Sequence, residues 1–87
     1  MDGIKSAAEL IKEIRAKKEK MQEDYADVIN EVATLNGVDL GVGFDMLLAV
    51  CRGGDYTGDI EFDGDALRAD YNELLELEHE LGKALGA

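Results

Sequence analysis

Asp59, Glu61, Asp63 and Asp70 are spaced so that their carboxylates could meet one hard cation. They stand first, third, fifth and twelfth in a short stretch, with Gly64 sixth and Asp65 seventh. A calcium loop takes oxygen ligands at those places. It also takes a glycine at the sixth for the sharp turn and a backbone carbonyl from the seventh. Ca²⁺ is the one cofactor this reading implies. A competing reading needs no ion. In it, Gly64 makes a turn and Asp65 caps the following helix.

That spacing resembles the loop of EF-hand and dockerin-type calcium proteins. Glu61 stands where Asp or Asn is usual, Ala66 where Ile is usual, and Asp70 where a bidentate Glu is usual. A second stretch, Glu23-Asp24-Tyr25-Ala26-Asp27-Val28, precedes Leu35-Asn36-Gly37-Val38-Asp39-Leu40. It resembles a fragment of the all-α MazG-like nucleotide pyrophosphohydrolases. The resemblance implies Asp24 and Asp27 as magnesium ligands one turn apart. Such a site needs a second carboxylate pair. Glu9 and Glu13 could supply it, but they read as part of the same helix. The family's later phosphate-binding bases are missing. The competing reading is an ordinary polar helix face.

Glu76-x-x-His79 has the spacing of a di-iron ligand pair, which a symmetric dimer could double. His79 also reads as an exposed histidine within Glu76, Glu78 and Glu80. It is the only histidine in the chain. No Ser/His/Asp or Cys/His set, P-loop or glycine-rich dinucleotide turn is evident. The expectation is therefore non-enzymatic.

The densest feature is acidic. Asp55, Asp59, Glu61, Asp63, Asp65, Asp70, Glu73, Glu76, Glu78 and Glu80 follow one another with Arg68 as the only base among them. Carboxylates this close repel one another, and a basic partner relieves the repulsion. Asp55, Asp59, Glu61, Asp63, Asp70, Glu73, Glu76 and Glu80 are the expected partner-binding residues. The alternative role of such a surface is solubility.

The elements that must carry these groups read as helical. Ile4, Ala7, Ile11, Ile14, Met21, Tyr25, Val28, Val32 and Leu35 recur at steps of three and four. Lys18 is the one break in that stripe. The spacing predicts one long helix from Ile4 to Asn36, stopped at Gly37. It would be roughly 50 Å long, against a radius of gyration of about 12 Å for a compact domain this size. The expectation is a long continuous helix that packs against another chain or against both later helices, with self-association through Ile11, Ile14, Met21, Tyr25 and Val28.

Gly41-Val42-Gly43 reads as a flexible joint. Phe44, Leu47, Leu48 and Cys51 form a short middle helix. Residues 55–64 read as an acidic turn or small hairpin. A last helix runs from Asp65 to about Leu85. The fold class expected is all-α, with residues 1–87 as a single helical domain. Lys12, Arg15, Lys17, Lys18 and Lys20 form a basic patch. They pair along their own helix or face the acidic last one.

Among 87 residues there are 20 acids and 9 bases, a net charge of −11. Residues 1–40 hold −3 of this and residues 41–87 hold −8. That charge opposes direct binding to nucleic acid or to anionic membrane. The length excludes doubly wound and barrel enzymes. Cys51 is alone, so no internal disulfide forms, and it reads as a buried, inert thiol. The opening residues lack the basic and apolar regions of a signal peptide, and a cytoplasmic location is expected. The functional expectation is an inhibitor or adaptor engaging a basic nucleic-acid-processing protein, of the phage or mobile-element anti-defence type. The alternatives are a small calcium- or magnesium-binding module and a structural component of a larger phage assembly.

Overall fold

A computed structural model describes residues 5–86. Ile4, the first residue of the stripe, lies outside them. The described residues are all-α, with four helices and no strand. They are α1 (Ala7–Asp24), α2 (Ala26–Asn36), α3 (Leu40–Val50) and α4 (Gly64–Gly86).

α1 starts at a capping box. Ser6 Oγ accepts from the Glu9 amide (3.2 Å), and Glu9 Oε1 accepts from the Ser6 amide (3.5 Å). This satisfies two amides that the first helical turn leaves free. α1 does not continue to Asn36 as its spacing predicts. It ends at Tyr25, whose φ of −112° and ψ of 23° leave the helical basin. No Pro or Gly causes the break. It falls well past the Lys17–Lys20 stretch where the stripe is weakest.

The interruption is confined to Tyr25, whose amide still donates to the Met21 carbonyl (2.9 Å) while its carbonyl accepts from the Ile29 amide (2.8 Å). Met21, Tyr25, Ile29 and Val32 share one core with Phe44, Leu47, Leu48, Leu67, Tyr71 and Leu74.

α2 stops where its sequence says, because Gly37 is left-handed at φ 67°. The Asp39 carboxylate then accepts from the Val42 amide (2.8 Å) and starts α3. Gly41 and Gly43 are therefore helical, not a joint. Gly43 is buried, and a Cβ there would sit 2.9 Å from Ala33 Cβ and 3.1 Å from the Ile29 carbonyl oxygen. The missing side chain lets α3 lie on α2, at 100° to it. No single helix among the described residues is long and apolar enough to cross a membrane.

Residues 55–63 form a turn region and not a hairpin. The Ile60 amide donates to the Thr57 carbonyl (2.9 Å) with Gly58 at φ 52°, and Asn36 Nδ2 donates to the Tyr56 carbonyl (2.9 Å). Ile60 and Phe62 pack on the core. α4 then returns antiparallel to α1. The molecule is elongated, at 48 × 21 × 21 Å with a radius of gyration of 14.5 Å.

Candidate functional site

α4 begins at Asp63, whose Oδ1 accepts from the Ala66 amide (3.0 Å). The cap expected at Asp65 is thus two residues earlier. From there the 3.6-residue period sorts the side chains. Leu67, Tyr71 and Leu74 are buried, while Asp65, Glu73, Glu76, Glu78 and Glu80 are exposed. Asp55, Asp59 and Glu61 are exposed on the approach to α4.

One basic side chain of α1 reaches this row. Lys17 Nζ donates to Asp70 Oδ1 (2.7 Å) and to Glu73 Oε2 (2.7 Å). The Tyr25 hydroxyl donates to Asp70 Oδ2 (2.6 Å). Asp70 therefore meets a cation on one oxygen and a phenol on the other. The hydrogen bonds from Lys17 and then Tyr25 hold its carboxyl below the usual range. The same bonds to Asp70 and Glu73 raise the Lys17 ammonium. Burial, followed by the bond to Asp70, raises the Tyr25 phenol.

Part of the basic patch thus faces α4 within the chain. The rest pairs locally or stays in water. Lys20 lies 3.3 Å from Asp24 along α1, and Glu13 is engaged by Lys5 (2.7 Å) and not by Lys17.

The expected partner-binding residues divide into two groups. Asp70 is half-buried and neutralised, Asp63 is spent on the helix cap, and Glu73 shares Lys17 while its side chain stays 66% exposed. Asp55, Asp59, Glu61, Glu76 and Glu80 form no ion pair among the described residues, and neither do Asp65 and Glu78.

The calcium reading is not supported by the geometry. Asp63 faces its own helix amide and Asp70 faces α1. No group of three or more His, Cys, Asp or Glu side chains among the described residues is placed to hold a metal ion. The magnesium reading meets the same result. Asp24 and Asp27 lie on opposite sides of the Tyr25 break, Glu9 closes the capping box, and Glu13 is bound to Lys5. His79 is exposed beside Glu76 and Glu80.

The expected self-association seam is used inside the chain. Met21 and Tyr25 are buried, Ile14 and Val28 pack on the core, and Ile11 alone stays exposed. These side chains cover α4 and the core, so in this form they offer no continuous seam to a neighbour. Cys51 is half-buried, and desolvation pushes its thiol up despite Arg68 and Arg52 nearby.

Two features had no local signal in the sequence. Arg52 Nη1 donates to the Tyr71 hydroxyl (3.2 Å), with its guanidinium 5.9 Å from the ring centre. A recess of about 620 Å³ opens between α2 and α3, lined by Gln22, Ala26, Asp27, Ile29, Asn30, Leu40 and Gly41. Comparison with protein-family models, with curated proteins and with solved structures finds no match for this chain.

Proposed function

We propose that this chain is a non-enzymatic interaction module that engages a basic surface on another protein. The carrying observation is the split among its acids. One lysine is shared by Asp70 and Glu73, while Asp55, Asp59, Glu61, Asp65, Glu76, Glu78 and Glu80 are left exposed without an ion pair among the described residues. Lys5 lies near enough to Glu80, and Arg52 to Glu78, to feel their charge, but none of these seven acids forms an ion pair among the described residues, and the surplus negative charge is a standing cost. A cationic partner removes the cost and is drawn in by long-range attraction.

The partner class that fits best is a nucleic-acid-processing enzyme, because its cleft is already shaped and charged for a row of anions. The module then acts as an inhibitor or adaptor in the compartment where that enzyme works, the cytoplasm.

The test is affinity capture from the source cells at low and high salt. It is run with the natural chain and with the variant Glu61→Lys, Glu76→Lys, Glu80→Lys. These three positions lie outside the core and outside the Lys17 network, so the variant keeps its fold. The expected result is a basic partner whose capture drops at least about tenfold with salt and with charge reversal. A partner that survives both treatments overturns the reading.

A further inference from the structure

The bases of α1 have unequal fates. Lys17 is taken up by Asp70 and Glu73, and Lys20 lies beside Asp24. Arg15 and Lys18 form no ion pair among the described residues. Both border a groove of about 240 Å³ between α1 and α4, whose floor is Ile11, Ile14 and Leu81. Ile11 is 41% exposed, so that floor is open to water. Asp45 and Glu78 border the next recess along, which Lys18 shares, and neither forms an ion pair with it. On a chain of net charge −11, the groove is an apolar floor flanked by two free cations.

α4 carries the converse. Leu75, Glu76, His79 and Glu80 line an open hollow of about 420 Å³ on that helix alone. Leu75 is 41% exposed, and neither Glu76 nor Glu80 forms an ion pair among the described residues. Glu80 feels the charge of Lys5, but Lys5 is bonded to Glu13. The two faces also match in spacing. Arg15 and Lys18 are three residues apart on one helix, Glu76 and Glu80 four apart on another, so each pair is adjacent on its helix surface.

We propose that the Leu75–Glu80 face of α4 in one copy docks in the α1–α4 groove of a second copy. Glu76 and Glu80 meet Arg15 and Lys18, and Leu75 covers Ile11. The occupant is this same chain because the chain holds both complementary halves and pairs neither within itself. Like net charge opposes the approach of two copies at long range. At about 0.15 M salt the screening length is about 8 Å, short against the 48 Å molecule. Overall repulsion then fades while charges in contact still attract. One contact joins two different faces, so each copy keeps one face free. Association therefore continues past two copies or closes into a ring. It needs no basic partner of the kind proposed above, and it withholds Glu76 and Glu80 from one.

The test follows the purified chain by light scattering from about 1 μM to about 1 mM at about 0.15 M salt. The natural chain is compared with Arg15→Glu, Lys18→Glu, with Glu76→Lys, Glu80→Lys, and with an equimolar mixture of these two variants. All four positions lie outside the core, and circular dichroism checks that each variant is folded. Each double reversal moves the chain's charge of −11 by four, so both variants stay net negative and do not attract in bulk.

The natural chain is expected to gain mass with concentration, and each variant alone to associate at least about tenfold more weakly. The mixture is expected to regain association, because the groove of one variant again faces opposite charge on α4 of the other. In that mixture, the labelled Glu76→Lys, Glu80→Lys chain is expected to show shifted amide resonances at Ile11, Arg15 and Lys18. A natural chain that stays monomeric throughout overturns the proposal. So does association that both variants retain, or a mixture that stays monomeric. If a reversal disturbs the fold, Arg15→Gln, Lys18→Gln removes the cations without adding acids and is expected to weaken association in the same direction; unchanged association there overturns the proposal as well.

Discussion

The α1–α4 and α2–α3 contacts bury similar residues and are fixed by different physics. Across α1–α4, Lys17 and Tyr25 converge on Asp70, with Glu73 sharing the lysine. Across α2–α3, no side-chain hydrogen bond or ion pair joins the helices among the described residues. There, Gly43 lets the backbone approach until only van der Waals contact remains. The first contact is directional and responds to charge, while the second responds only to shape. One small sequence thus carries a contact that salt and pH can loosen and one that they leave untouched.

The comparison breaks most visibly at Gly43. A Val there has nowhere to go, because its Cβ alone would meet Ala33 and the Ile29 carbonyl. Gly43→Val is expected to cost about 3 kcal/mol in urea unfolding, with no dependence on salt. A loss that salt relieves would mean that α2–α3 is not a purely steric contact.

Asp70→Asn probes the other contact. A hydrogen-bonded charge at a partly screened site is worth about 1–2 kcal/mol. Its pH dependence has a definite sign. The Asp70 carboxyl is lower in the folded chain, so its contribution is fully present above the unfolded value of about 3.9. It is lost as the pH falls through the lower folded value. The stability gap between the natural chain and Asp70→Asn should therefore be full at pH 7 and close in acid. Taking the difference removes the titration of the other carboxylates. A gap that stays constant from pH 7 to pH 2 would show that Asp70 acts through packing.

Glu73→Gln sharpens the boundary of the network. Its side chain is 66% exposed, so water already screens the pair. The expected loss is at most about 0.5 kcal/mol, measured in the same unfolding series. A loss as large as that of Asp70→Asn would place Glu73 inside the network.

What the sequence revealed divides along the same line. Periodicity and local caps were legible. Gly37 ends α2 as its position predicts, and Leu67, Tyr71 and Leu74 of α4 are buried at helical spacing, whereas Leu75 and Leu85 stay exposed. Features set by contact at a distance were hidden. Gly41 and Gly43 read as a joint because a glycine that permits close approach looks like one that permits a turn. The break at Tyr25 carries no breaker residue, and the hydroxyl of Tyr25 bonds an acid 45 positions away. The carboxylates from Asp59 to Asp70 have ligand spacing, yet Asp63 turns to a helix amide and Asp70 to a lysine. Spacing places groups along a chain, but only the fold decides whether they converge.

The placement of the two contacts also sets an order in time. α2 and α3 are neighbours joined by residues 37–39, so their contact closes almost no loop. Lys17 and Asp70 are 53 positions apart, and α1 cannot find α4 until the last quarter of the chain has emerged and folded back. Loop-closure entropy makes the short connection the quick one and the long connection the slow one. The α2–α3 contact is therefore expected to form before the α1–α4 contact, so that the apolar stripe of α1 is the last to be covered.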